Sequence, residues 1–272
     1  MWYFMVQVIV MGGADMKMNE KREFLIDELL KDQPDIRNVN VPSGEDEQWR
    51  MLRSLMNIRM PGRMNEEFLK VQDEYLLAVN EAKGVVTLGD IDEREPDLYL
   101  WKGDITRLGV GAIVNAANSG MTGCYQPCHN CIDNCIHTYA GVQLRNYCDA
   151  LMHRQGHEEP TGTAKITPGF NLPCDYVIHT VGPIVAGALT SRDEELLRSC
   201  YNSCLELAEQ NNIGSIAFCC ISTGVFMFPN ERAAEIAVQT VRDYKAKTGS
   251  KIQVIFNVFK DEDERIYERL LG

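Results

Sequence analysis

An α/β fold, with a mixed or parallel sheet sandwiched between helices, is predicted by three features of this sequence. Short apolar runs of strand length alternate with longer segments of helical spacing after Gly84. The 272 residues are 45% hydrophobic, enough for one large domain with a substantial extension. Chemically distinctive residues recur where the apolar runs end, which is where such sheets collect their ligands.

The elements follow in order. The opening WYFMVQVIVM reads either as an edge strand or as the product of an overextended start, since Met16 and Met18 precede a charged helix start. From Asn19 to about Ala82, LIDELL, WRMLRSLMNI and EFLKVQDEYLLAV place apolar residues at steps of three and four. Pro34, Pro42 and Pro61 divide this stretch, predicting three helices in an extension over residues 1–84. With no constellation of His, Cys and carboxylates there, the extension is read as packing against the main domain, residues 85–272. In that domain LYLWKGDIT, GAIVNAAN, AKITPG, DYVIHTVGP, SIAFCCIST and KIQVIFNVF read as buried strands. Between and after them, IDNCIHTYAGVQLRNYCDALM, SRDEELLRSCYNSCLELAEQN, NERAAEIAVQTVRDYKAK and DEDERIYERLL carry helical spacing. The strand ends then offer Gly103 and Asp104, Asn115 and Asn118, and Ser222 to Phe228.

Composition excludes several functions. A net charge of −12, from 39 acidic residues against 27 Lys plus Arg, opposes broad nucleic-acid binding, which needs a positive surface. A small anionic ligand stays open, because backbone N–H groups hold phosphate without basic side chains. No apolar run reaches bilayer length, so no membrane role is expected, and a cytoplasmic location is. Six of the ten cysteines lie in apolar segments such as AFCCIST and read as buried free thiols.

The other four cysteines fall in GCYQPCHNCIDNCIH, where Cys124, Cys128, His129, Cys131, Cys135 and His137 form a dense donor set. Zinc needs three or four such donors. A helix starting near Ile132 points successive donors in different directions, so not all six serve one ion. His137, four residues after Asp133 and beside Ile136, reads as a packed, hydrogen-bonded histidine, and Cys135 is similar. Spacing leaves Cys124 and Cys128 in competition. The C-x3-C-x2-C spacing of Cys124, Cys128 and Cys131 also resembles the cluster motif of radical S-adenosylmethionine enzymes. Too few strand–helix units follow it for the partial barrel those enzymes need.

The motifs WKGDIT, IVNAAN, IDNCIH, TYAG, VIHTVGP and ISTGVF, in that order from about Leu98 onward, closely resemble the macrodomain family. That resemblance implies a three-layer α/β/α domain with a mixed central sheet that binds ADP-ribose. The insertion GCYQPCHNC and the helical extension resemble the zinc-containing, sirtuin-associated microbial branch, which implies Cys124, His129 and Cys131 as Zn2+ ligands and Cys128 as a bystander.

The resemblance also implies roles for the strand-end residues. Asp104, with Ile105 beside it, reads adenine N6, and Asn118 contacts the distal ribose. Ser222, Thr223, Gly224, Val225 and Phe226 hold the diphosphate, partly through backbone N–H groups of the Gly turn. Where relatives often carry Gly, Met227 stands here and alters the wall of the site. On physical grounds alone Asp104 and Asn118 also read as cap and turn formers, and Asp133 as a helix-start charge.

The implied reaction is zinc-dependent removal of mono-ADP-ribose from a modified protein, with Asn118 and Asp133 as catalytic residues. The branch further implies a lipoyl-carrier protein as substrate and a sirtuin as functional partner. Whether the metal acidifies a water or grips a ribose hydroxyl stays open from the sequence, as does a rival role: an ADP-ribose reader with a structural metal loop and no catalysis.

Overall fold

The computed structural model describes residues 16–33, 36 and 39–272; the opening apolar segment and Pro34 lie outside them. Three helices come first: α1 (Met18–Asp32), α2 (Glu45–Ile58) and α3 (Glu66–Ala82). Their apolar stripes converge on Leu25, Leu29, Leu52, Phe68 and Leu76, a core of their own that recruits Val142 from the rest of the chain. Asn65 starts α3 by accepting a hydrogen bond from Phe68 N.

The remainder builds a seven-stranded mixed sheet. In chain order its elements are β1 (Glu93–Glu95), β2 (Leu98–Lys102), β3 (Ala112–Ala117), α4 (Ile132–Ala140), α5 (Val142–Gln155), β4 (Ala164–Pro168) and β5 (Tyr176–Val181). There follow α6 (Ser191–Gln210), β6 (Ser215–Phe218), α7 (Asn230–Thr248), β7 (Gln253–Val258) and α8 (Asp261–Leu271). The spatial order is β1-β2-β7-β6-β3-β5-β4; the five inner strands are parallel, and β1 and β4 close the edges antiparallel. Ile113, Val177, Ile216 and Val254 are wholly buried, as parallel strands covered on both faces require.

Alternation along β5 separates the helical layers. His179 faces Cys148 of α5 and His137 of α4, whereas the next residue, Thr180, faces Cys200 of α6. The expected strands and three extension helices are present. Two details differ from expectation. The segment from Ile132 to Met152 is not one helix, because Gly141 at φ 95 turns the chain between α4 and α5. Asn115 lies within β3 rather than after it, with a buried side chain.

All ten cysteines are free thiols, and five of the six outside the Cys124–Cys135 segment are buried. Among the described residues no helix is long and apolar enough to cross a membrane.

Candidate functional site: a thiol–imidazole cluster beside a carboxylate at the strand ends

The carboxyl ends of the parallel strands present the site. After β3, the chain turns at Asn118, whose Oδ1 accepts from Gly120 N, and enters the loop that runs to Cys131. Asn118 Nδ2 donates to Gly123 O at 3.1 Å and to Asp133 Oδ2 at 3.3 Å. Asn115 Nδ2 donates to the other oxygen of Asp133 at 2.8 Å. Asn115, Asn118 and Asp133 are thus one unit: two amides aim a single buried carboxylate. Burial pushes that carboxyl up to about 6, with the two amides and the Arg145 charge opposing.

The three expected metal donors come together: the ligand atoms of Cys124, His129 and Cys131 lie within 4.8 Å of one another, with Cys124 Sγ 3.6 Å from His129 Nδ1. Burial, with Cys124 and Asp133 adding to it, pushes the Cys131 thiol up. A divalent cation at that point would reverse this crowding and favour both thiolates, so the donor set fits a thiophilic ion such as zinc. Three protein donors would leave one position of such an ion free, as in catalytic zinc sites.

Cys128 is elsewhere. At φ 51 its Sγ turns to Ser54 Oγ (3.2 Å) and Arg50 O (3.3 Å), away from the cluster. Cys135 Sγ lies 3.6 Å from Arg53 Nη2. His137 is packed as expected but not hydrogen-bonded: both ring nitrogens are buried without such a partner, and Nε2 stands 3.6 Å from Asp133 Oδ1. Its ring and that of His179 are kept neutral by burial.

The loop owes its shape to residues that periodicity does not single out. Arg53 of α2 donates to His129 O at 2.6 Å and to Asn134 Oδ1 at 2.9 Å, and Asn134 in turn donates to Cys124 O and Gln126 O. Asn57 accepts from Cys128 N and donates to Thr138. Arg145, largely buried in α5, spans both modules: it donates to Thr122 O and Cys124 O on one side and to the carbonyls of Met56, Asn57 and Arg59 on the other.

At the end of β2, Asp104 caps a 3-10 turn over Ile105–Arg107, accepting from Thr106 N and Oγ1. Ile105 is buried beneath it. Asn257 Nδ2 donates to Gly103 O, so the ends of β2 and β7 stay together, and Phe259 just beyond β7 is 75% exposed. After β6, the segment Ser222–Phe228 folds on itself through Met227 N to Gly224 O and Phe228 N to Ser222 O. Val225 and Met227 point outward there, and the buried Ser222 hydroxyl has no protein partner. Phe226 O accepts from Val185 N, which joins this loop to the end of β5. Exposed Ile184, Val225, Met227 and Phe259 all follow strand carboxyl ends, the end of such sheets where ligands bind.

A mixed sheet of this order, with its site built from the β2, β3 and β6 ends, defines a family, and the Macro domain profile matches residues 114–237. The chain belongs to the macrodomain family. It is 58% identical over 261 residues to a protein-ADP-ribose hydrolase of Treponema medium, covering 94% of this chain and 100% of that one. A protein-ADP-ribose hydrolase of Staphylococcus aureus is 46% identical over 93% of this chain and 96% of its own. Among solved structures, the Trypanosoma brucei macrodomain in complex with ADP-ribose superposes with a TM-score of 0.64 at 28% identity, covering 81% of this chain and 95% of that one. The C-x3-C-x2-C reading as a radical-enzyme motif is set aside by this membership and by the open sheet.

Proposed function

We propose that this protein is a protein-ADP-ribose hydrolase that removes mono-ADP-ribose from a modified protein in the cytoplasm. The observation that carries the reading is the pairing of Asp133, aimed by Asn115 and Asn118, with a thiol–imidazole cluster whose last member, Cys131, stands two residues before it. The near full-length identity to two protein-ADP-ribose hydrolases supports it. The same reading divides the chain into a helical extension over 1–84 and a catalytic body over 85–272, because buried apolar residues fall into two clusters.

ADP-ribose lies across the strand ends. Asp104 accepts from the adenine amine, and the exposed ring of Phe259 offers a flat face to the base. The turn from Ser222 to Phe226 presents backbone N–H groups and the Ser222 hydroxyl to the diphosphate. The distal ribose then reaches Asn118, whose amide already binds Asp133 and so sets sugar and carboxylate in one frame. Asp133 positions a water at the anomeric carbon and takes its proton as the bond to the acceptor side chain breaks. Cys124, His129 and Cys131 would hold Zn2+, which would supply Lewis-acid polarisation to an oxygen of water or of a ribose hydroxyl.

The substrate in this reading is a mono-ADP-ribosylated lipoyl-carrier protein and the modifying enzyme a sirtuin, on the resemblance of the insertion GCYQPCHNC and the helical extension to that branch. The test is release of ADP-ribose from a mono-ADP-ribosylated protein by wild type, Cys131→Ala and Asp133→Ala. Loss in both variants by at least about a hundredfold is expected. Equal activity in all three would remove the assigned site. An inactive wild type that still binds ADP-ribose would make the protein a reader.

A further inference from the structure

Asp104 is held from outside its own strand end. Lys83, the first residue past α3, places Nζ 2.8 Å from Asp104 Oδ2 and donates to Thr106 Oγ1 at 2.6 Å. The same ammonium sits 3.4 Å above the Tyr139 ring of α4. Thr106 occupies Oδ1 through both its N–H and its hydroxyl. Only part of Oδ2 is left for a ligand, on a side chain that keeps about a third of its surface exposed. The uncharged Cys135 and Tyr139 are the other titratable neighbours, and Arg107 spends its Nε on Gly84 O. Lys83 is therefore the cation in contact with this carboxylate.

We propose that Lys83 is a positioning residue that sets nucleobase choice, pinning the Asp104 carboxylate together with Thr106 so that its remaining lone pair meets a 6-amino purine and rejects a 6-oxo purine. The inference rests on the ADP-ribose reading of the site. An ionised carboxylate accepts only, so it pairs with an amine at C6 and meets a C6 carbonyl lone pair to lone pair. A carboxylate freed to turn would neither accept squarely from the amine nor confront the carbonyl, and the distinction would fade. Burial alone favours protonation of Asp104; Lys83 and Thr106 more than offset it and hold the group below the ordinary carboxylate range. Burial likewise draws the Lys83 ammonium down, with Asp104 opposing. Lys83 follows α3, so the helical extension reaches both the Cys124–Cys131 loop, through Arg53, and the Asp104 turn, through Lys83.

The experiment is titration calorimetry of wild type, Lys83→Met, Lys83→Arg and Asp104→Asn with ADP-ribose and with its hypoxanthine counterpart, inosine diphosphate ribose. Wild type is expected to prefer ADP-ribose by about thirtyfold or more, since a polar site left mispaired rejects strongly. In Lys83→Met the preference falls to about threefold, mostly through weaker ADP-ribose binding, and Lys83→Arg restores it because the charge returns. Asp104→Asn, which can both donate and accept, loses the preference with Lys83 still in place; this arm decides the matter even where Lys83→Met is unstable. A Lys83→Met protein with undiminished preference, or with both ligands weakened equally, would overturn the inference, as would full preference in Asp104→Asn. Wild type that binds neither nucleotide would instead overturn the ADP-ribose reading on which it rests.

Discussion

The loops after β3 and after β6 both leave the carboxyl end of a parallel strand, and both hold non-glycine residues at positive φ: Met121 and Cys128 in one, Ser222 and Met227 in the other. They are restrained in opposite ways. The first is stitched by side chains from the helices around it, Arg53 and Asn57 of α2, Asn134 of α4 and Arg145 of α5, which leaves Cys124, His129 and Cys131 free for chemistry. The second closes on its own backbone and presents exposed apolar groups with N–H donors. A loop that must offer side chains borrows its rigidity from neighbours; a loop that must offer backbone supplies its own.

The largest effect that sharpens this contrast is expected from Arg53→Ala. Removing the donor to His129 O lowers metal affinity about 10–100-fold, measured by competition with a chromophoric chelator, while ADP-ribose binding stays within about twofold. A metal affinity unchanged by this substitution would show that the loop shapes itself.

Acid is expected to act on the same side of the molecule, because His137 and His179 pack beneath the β3–α4 loop and the β6–α7 loop has no histidine. Both fold neutral, His179 with its pKa brought down to about 3 from 6.5, so below pH 6.5 the unfolded chain binds protons that the folded one refuses. Stability falls as pH drops through that window. Asp133, raised to about 6 from 3.8, works the other way between those two values and offsets one of the two histidines there. The net loss between pH 7 and pH 5 is on the order of 2 kcal/mol, read from urea unfolding, and His179→Asn flattens the slope.

Gly182→Ala strikes the second loop alone. A Cβ there would stand 2.1 Å from Ser222 Oγ and displace it, so ADP-ribose binds about tenfold more weakly with metal content unchanged. Loss of metal in this variant would break the separation between the loops. The smallest effect is Met227→Gly. Relief of a left-handed residue is nearly cancelled by the added freedom of the unfolded chain, leaving stability within about 0.5 kcal/mol by thermal or urea unfolding.

Much of the fold was legible because its signals are local. Apolar runs of strand length and stripes of helical period announced six strands and the extension helices. The edge strand β1 escaped because Glu-Arg-Glu carries no apolar pattern; it forms by pairing antiparallel with β2. The break at Gly141 escaped because apolar spacing continues through it from α4 into α5, and only the backbone angle interrupts the helix.

The sequence by itself determined the order of strands and helices, the strand-end motifs and a dense set of thiols and imidazoles, since each depends on neighbours a few positions apart. The resemblance of its motifs to the macrodomain family also implied Asn118 and Asp133 as site residues. Only the tertiary structure decided how they are held: that Asn115 shares the Asp133 carboxylate, that Cys128 turns to Ser54, and that Arg53 and Lys83 reach His129 and Asp104. Those contacts join residues 18 to 76 positions apart along the chain, and no local pattern encodes them. They exist because a helical extension with its own core docks where the strand ends open, and burial there leaves each charged or polar group needing the partner it finds.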